Sequence, residues 1–131
     1  MRKFIILSGT IFFMSFFSCK DSTDKNSAIN ISPNDLFEAL QKDSIQLVDV
    51  RTPKEYLAGF IKTAQNMDYK SSNFSTNLKA LNRQKPVYIY CRSGKRSEKS
   101  IKIFQEAGFE KIYNLEGGIL NWKQKGLDTF K

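Results

Sequence analysis

The sequence predicts an α/β fold, in which a small, mostly parallel sheet carries helices on both of its faces. Three observations predict it. Apolar segments rich in β-branched and aromatic residues alternate with amphipathic segments, which is the order of βαβ units. The segment PVYIYC, residues 86–91, is almost wholly apolar, as expected for a strand buried on both faces. About 100 residues beyond the N-terminal region are enough to bury a hydrophobic core.

The first predicted helix begins near Ser32. This residue is a candidate N-cap, and Pro33 stands at the first helical position, where its missing N–H costs nothing. Residues 44–50, SIQLVDV, alternate and are rich in β-branched side chains, so they predict a strand. The apolar stripe of the helix that begins near Ser32 consists of Leu36, Phe37 and Leu40.

The next segments predict shorter elements. Thr52 and Pro53 open a short helix, PKEYLAG, which Gly59 is expected to close. The segment AQNM, residues 64–67, predicts a short extended piece. Residues 71–82 predict another helix because apolar side chains recur there at helical spacing. These side chains are Phe74, Leu78 and Leu81.

The C-terminal third continues the alternation after the apolar strand 86–91. Residues 97–108 form an amphipathic pattern that ends at Gly108, a typical C-cap residue. Residues 111–115 predict a strand, and residues 117–126 predict a final short helix. The apolar stripe of the amphipathic segment consists of Ile101, Phe104 and Ala107.

The N-terminus predicts export and a lipid anchor. Arg2 and Lys3 precede an apolar run, residues 4–17, that has the length and charge order of a signal peptide. The run ends in FFSC, which resembles a bacterial lipobox, so Cys19 is the expected lipidation site. We therefore expect a signal peptide at 1–18, a flexible tether at 19–28 and a domain at 29–131, anchored in the cell envelope on its periplasmic face or at the cell surface. A plain secretory signal or an uncleaved anchor is the alternative.

The amino-acid composition excludes several types of catalytic and metal-binding site. The chain has no histidine, which excludes Ser-His and Cys-His catalysis and zinc sites that need imidazole. Lipidation of Cys19 would also prevent a disulfide with Cys91, the second cysteine of the chain. The net charge of +8 favours anionic ligands or anionic membranes, whereas no nucleic-acid-binding motif is present. We expect a monomer without a metal or an organic cofactor.

The segment CRSGKRS, residues 91–97, is the strongest functional signal in the sequence. Cys91 follows a predicted central strand, and a helix is expected to start near Arg96. The backbone N–H groups of such a turn, together with the helix dipole and neighbouring cations, stabilise a thiolate and bind anions. Gly94 suits a tight turn. A buried inert cysteine followed by a solvated basic loop is the alternative, but the cluster of cations, glycine and helix favours a reactive thiolate.

Four motifs in this order resemble those of the single-domain rhodaneses, a family related to thiosulfate sulfurtransferase. The resemblance extends from about residue 29 to residue 125. Phe60 and Thr63 depart from it, because the family often has His and Gly at these positions. The motifs are LVDVRTPKEYLAGFI at 47–61, AQN at 64–66, YCRSGKRS at 90–97 and LEGGILNW at 115–122.

The resemblance implies roles for individual residues. Cys91 would be the nucleophile that takes up a sulfane sulfur as a persulfide. Asp49, Arg51 and Glu55 would support the loop, although they could instead form an ordinary strand-end ion pair and a surface carboxylate. Gly117, Gly118 and Trp122 would pack the last helix. The loop residues implied to bind the substrate are Arg92, Ser93, Gly94, Lys95, Arg96 and Ser97.

The implied activity is sulfur transfer from a small anionic donor, such as thiosulfate, to a thiol or to cyanide. Related cysteine loops serve phosphatases and arsenate reductases, which use C-x5-R. Here Arg96 gives C-x4-R, and the shorter loop suits a single sulfur atom better than a tetrahedral phosphate. Two alternatives stay open: a membrane-tethered carrier or interaction module without rapid turnover, and a phosphatase.

Overall fold

Five parallel strands form the sheet of the protein, in a computed structural model that describes residues 28–131. The strands are β1 (Ala28–Ile31), β2 (Gln46–Asp49), β3 (Gln65–Asn66), β4 (Val87–Tyr90) and β5 (Ile112–Leu115). The helices are α1 (Pro33–Lys42), α2 (Pro53–Leu57), α3 (Phe74–Asn77), α4 (Lys95–Glu106) and α5 (Gly118–Gln124). The sheet order is β1-β5-β4-β2-β3, which places β4 at the centre and confirms the predicted α/β fold.

The predicted signal peptide, Cys19 and nearly all of the predicted tether lie outside the described residues. The last residue of that tether, Ala28, is the first residue of β1. None of the helices within residues 28–131 has the length and hydrophobicity that a transmembrane span requires.

Local sequence signals explain where α1 and α2 begin. The Ser32 hydroxyl accepts a hydrogen bond from the Asp35 N–H at 3.1 Å and donates one to the Asp35 carboxylate at 2.7 Å. The Thr52 hydroxyl accepts a bond from the Glu55 N–H at 3.4 Å. A proline follows each cap as the first helical residue. Both helix starts therefore agree with the predicted capping.

The segment predicted as one helix over 71–82 is shorter in the structure. It contains α3 and then a 3₁₀ turn at Leu78–Ala80, which closes with a hydrogen bond from the Leu81 N–H to the Leu78 carbonyl. Serine, threonine and asparagine dominate residues 71–77, and their side chains compete for backbone hydrogen bonds. The apolar spacing was therefore a correct indicator of the buried face but not of helix length.

The core lies on both faces of the sheet because side chains alternate along the strands. On β4, Val87 and Ile89 face one side, while Tyr90 faces the other. The cluster that includes side chains from α3 and α4 consists of Val48, Val50, Met67, Phe74, Leu78, Leu81, Val87, Ile89, Cys91, Phe104, Phe109 and Ile112. The cluster that includes side chains from α1 and α5 consists of Leu36, Leu47, Ile61, Ala64, Tyr90, Leu115, Ile119 and Trp122.

Thr63, one of the two departures from the family pattern, has a left-handed backbone with φ of 68°. A β-branched residue is strained there, and its side chain is exposed. We expect Thr63→Gly to raise the free energy of unfolding by about 1 kcal/mol, measured by urea denaturation. The control is Thr76→Gly in α3, which should lower it. Equal losses from both substitutions would contradict this account.

Candidate functional site

The loop predicted to be functional connects β4 to α4 at the carboxyl end of the central strand. Cys91 directly follows β4, and α4 begins at Lys95, one residue earlier than expected. Gly94 is the N-cap of α4 and has φ of 99°, a conformation that side chains strongly disfavour. The glycine therefore allows the chain to turn directly from the strand into the helix.

The Cys91 thiol is almost completely buried, with 1% of the residue exposed. Its Sγ accepts hydrogen bonds from the Gly94 N–H at 3.1 Å and from the Ser97 hydroxyl at 3.5 Å. Burial alone would raise the pKa of the thiol. The Ser97 hydroxyl and the backbone N–H groups of Ser97, Gly94 and Ser93 outweigh burial, so the pKa of Cys91 lies below its usual value.

Ser97 is fully buried and divides its hydroxyl between two acceptors. Its Oγ lies 3.1 Å from the Gly94 carbonyl oxygen and 3.5 Å from the Cys91 sulfur. A hydroxyl has one proton to donate, so Ser97 donates to one acceptor at a time. A negatively charged sulfur is the stronger acceptor, and ionisation of Cys91 therefore favours the bond to sulfur.

The three cations of the loop occupy different environments. Arg96 forms two hydrogen bonds of 2.8 Å with the carboxylate of Glu55 in α2. The side chains of Arg92 and Lys95 are exposed at the surface of the loop. Arg96 is therefore held in place by Glu55, whereas the side chains of Arg92 and Lys95 are exposed to solvent.

The Arg96 guanidinium lowers the pKa of the Glu55 carboxyl to about 2. Stability from a carboxyl with a depressed pKa is present above its unfolded value, 4.5, and is lost as pH falls towards 2. We expect the wild-type protein to exceed Glu55→Gln in free energy of unfolding at pH 6, and this difference to disappear near pH 2. Urea denaturation across this pH range measures the difference.

Glu38→Gln is the matched control for Glu55→Gln. Glu38 pairs with Lys42 on the surface of α1, and both side chains are about two thirds exposed or more. Its removal should change stability little at any pH. If the curves of the wild-type protein and Glu55→Gln ran parallel from pH 6 to pH 2, the ion pair would not stabilise the loop.

Asp49 and Arg51 form a buried ion pair beside the loop. Arg51 Nη2 lies 2.6 Å from Asp49 Oδ2, and Arg51 Nε lies 2.9 Å from Asp49 Oδ1. Arg51 Nη2 also donates to the Gly59 carbonyl at 2.7 Å, and the guanidinium lies 5.7 Å from the ring centroid of Tyr90. This pair joins the end of β2 to the segment after α2. Among the three predicted support residues, Glu55 is the one bonded to a residue of the 91–97 loop.

The first turn of α5 contacts the loop, which the sequence did not predict. The Ile119 N–H donates to the Cys91 carbonyl at 2.9 Å, and the Leu120 N–H donates to the Arg92 carbonyl at 3.1 Å. Gly118 packs directly against the backbone of these two loop residues. The glycine pair at 117–118 is the signal in the sequence, but by itself it predicts only packing of the last helix and not this contact with the loop.

Metal-binding chemistry has no candidate in the part of the chain that the structure describes. Residues 28–131 contain no cluster of three or more His, Cys, Asp or Glu side chains that could hold a metal ion. The chemical features that the structure places at the site are a thiol, the hydrogen-bond donors around it and the exposed cations of the loop.

Comparison with known protein families matches residues 32–125 to the rhodanese-like domain. The chain is 38% identical to the Synechocystis protein slr1261 over 110 residues, which is 84% of this chain and 59% of that protein. It is 33% identical to a sulfurtransferase from Allochromatium vinosum over 85 residues, 65% of this chain and 78% of that protein. The crystal structure of a rhodanese-like domain protein from Staphylococcus aureus has 30% identity and a TM-score of 0.67, covering 79% of this chain and 99% of that one.

Proposed function

Because the chain belongs to the rhodanese-like family, we propose that it transfers a sulfane sulfur from an anionic donor such as thiosulfate to a thiol or cyanide. The observation that carries the proposal is the environment of Cys91. Its sulfur accepts bonds from Gly94 and Ser97, and its pKa is lowered although it is buried. A thiolate made in this way needs no histidine as a base.

In the first half-reaction, the Cys91 thiolate attacks the outer sulfur of thiosulfate. A bond forms between the two sulfur atoms, the bond from the outer sulfur to the sulfonate sulfur breaks, and sulfite leaves with the electron pair. Cys91 then carries a persulfide whose terminal sulfur is negatively charged. Amide N–H groups and the Ser97 hydroxyl around the sulfur favour this charge, as they favour the thiolate.

In the second half-reaction, a nucleophilic acceptor attacks the terminal sulfur of the persulfide. The bond between this sulfur and Cys91 Sγ breaks, and the thiolate of Cys91 leaves with the electron pair. A thiolate acceptor becomes a persulfide, and cyanide becomes thiocyanate. The two half-reactions form a ping-pong cycle that returns the protein to its starting state.

Two exposed cations support an anionic donor. The side chains of Arg92 and Lys95 are exposed on the loop that follows Cys91, while Arg96 is occupied by Glu55. The N-terminus of α4, a helix of 12 residues, adds positive potential on the same side. Approach of a dianion to the Cys91 thiolate is otherwise opposed by like charge, and these groups reduce that repulsion.

We further propose that the protein works at a membrane. The apolar run at 4–17 followed by Cys19 supports a lipid anchor, and the polar residues between Cys19 and β1 support a tether. The chain would then be exported and would present its domain on the periplasmic face or at the cell surface. Metabolic labelling with a radioactive fatty acid tests this, because Cys19→Ser should abolish labelling while Cys91→Ser should retain it.

Sulfite release from thiosulfate, with cyanide as acceptor, tests the proposed activity on the purified full-length chain. We expect sulfite and thiocyanate to form in equal amounts over many turnovers. One equivalent of sulfite without further turnover would instead support a sulfur carrier, an alternative that the 1% exposure of Cys91 favours. Hydrolysis of an aryl phosphate without any sulfite release would support a phosphatase and contradict sulfur transfer.

A further inference from the structure

The first turn of α5 binds the carbonyl side of the loop. The carbonyl of Cys91 accepts the Ile119 N–H at 2.9 Å, and the carbonyl of Arg92 accepts the Leu120 N–H at 3.1 Å. Ile119 and Leu120 are the second and third residues of α5, where N–H groups have no acceptor inside the helix. Both N–H groups therefore donate to the loop without breaking any hydrogen bond inside the helix.

This contact fixes which way the amide of Ser93 points. A trans peptide is planar, so its carbonyl and its N–H lie on opposite sides of the chain. When α5 holds the Arg92 carbonyl, the N–H of the same peptide, which belongs to Ser93, faces away from α5. The Ser93 N–H is one of the backbone groups that lower the pKa of Cys91. The carbonyl that the Leu120 N–H binds and the Ser93 N–H thus belong to one peptide unit, so a displacement of this peptide moves both.

Gly118 is the residue that permits so close an approach. A Cβ at this position would lie 2.5 Å from the carbonyl oxygens of both Cys91 and Arg92, and these are backbone atoms that cannot rotate away. Its φ of +60° also disfavours side chains. Any other residue would push the start of α5 away from the two carbonyls it binds.

We propose that Gly118 is a positioning residue for sulfur transfer. By allowing the first turn of α5 to bind the carbonyls of Cys91 and Arg92, it fixes the backbone that carries the Cys91 sulfur next to the Gly94 N–H that donates to it. The proposal rests on the proposed function, because its consequence for catalysis presumes a persulfide on Cys91. The charged pair near the sulfur, Arg96 and Glu55, comes from α4 and α2 and is not part of this contact.

Gly118→Ala in the full-length chain tests the proposal, in a Cys19→Ser background that leaves Cys91 as the one thiol. The first readout is the pKa of Cys91, which is measured from the ultraviolet absorbance of the thiolate during a pH titration. We expect the pKa to rise. The second readout is the rate of persulfide formation from thiosulfate, which should fall about tenfold as a hydrogen bond to a charged group is weakened.

Gly126→Ala is the matched control. Gly126 has a similar φ of +73°, but nothing lies within 4 Å of its added Cβ. It should lose stability through backbone strain alone and keep the pKa of Cys91 and the rate of the parent protein. If Gly118→Ala folded and matched Gly126→Ala in both readouts, Gly118 would be a packing residue only and the proposal would be wrong.

Leu120→Pro decides the question if Gly118→Ala does not fold. Proline removes the N–H that binds the Arg92 carbonyl, at a position in the first turn where the helix does not use it. A raised pKa of Cys91 is again expected, and an unchanged pKa would overturn the proposal. Absence of persulfide in the parent protein would refute the proposed function instead, since the thiol titration is independent of sulfur transfer.

Discussion

Replacing Cys91 with serine is expected to abolish sulfur transfer, with a loss of about a thousandfold or more in sulfite release. A serine hydroxyl fits the same space, but it is a far weaker acid than a thiol and forms no persulfide. The donors around it, Gly94 and Ser97, remain in place, so the loss of sulfite release measures the contribution of the thiol alone.

Sulfite release from thiosulfate measures this loss, with thermal unfolding as the check on folding. Cys19→Ser is the matched control, because it removes the second cysteine of the chain and leaves the loop intact. It should retain the activity of the wild-type protein. Equal activity of Cys91→Ser and Cys19→Ser would show that Cys91 takes no part in the mechanism.

Arg51→Met is expected to lower the free energy of unfolding by about 3–5 kcal/mol, the usual cost of leaving a buried charge without its partner. Asp49 is fully buried, and Arg51 supplies three of the hydrogen bonds to its carboxylate through Nε and Nη2. Methionine fills part of the arginine volume without replacing this charge. Urea denaturation at neutral pH measures the loss.

The surface pair of Lys42 and Glu38 provides the control for Arg51→Met. Its side chains are 72% and 66% exposed, so Lys42→Met should cost no more than about 0.5 kcal/mol. Combining Arg51→Met with Asp49→Leu should recover part of the loss, because no unpaired charge then remains in the interior. A loss from Arg51→Met as small as that from Lys42→Met would show that the buried pair does not hold β2 in place.

Much of the fold followed from signals that lie close together in the sequence. The caps at Ser32 and Thr52 specify where α1 and α2 begin, since each acts on its own first turn. The apolar run at 86–91 predicted a buried strand, and β4 lies at the centre of the sheet. The alternation of elements predicted parallel pairing, because a helix that crosses the sheet returns the next strand in the same direction.

β1 was not predicted, and its absence from the prediction has a physical cause. Its four residues, AINI, follow a polar stretch and are too few to establish alternation. The strand forms because β5 and Glu116 provide its hydrogen-bond partners: Ala28 pairs with Ile112, and Ile31 with Leu115. Segments 84 residues apart pair only in the folded sheet, so the local sequence pattern could not predict this strand.

The candidate site was predicted in part. Cys91 and its loop were identified from their own seven residues, where chemistry and spacing are local. The bond between Glu55 and Arg96 joins residues 41 positions apart, so the sequence supplied the residues but not their pairing. The contact of Gly118 with the loop likewise depends on how α5 returns to the end of β4, which no spacing rule specifies.

Intact mass spectrometry of the full-length chain after brief exposure to thiosulfate tests the central claim most directly. The proposed mechanism predicts a gain of one sulfur atom, located on the peptide that contains Cys91, removed by cyanide and absent from Cys91→Ser. Continued sulfite release by a protein that never gains sulfur, or sulfur found on Cys19 instead, would contradict a persulfide mechanism at Cys91.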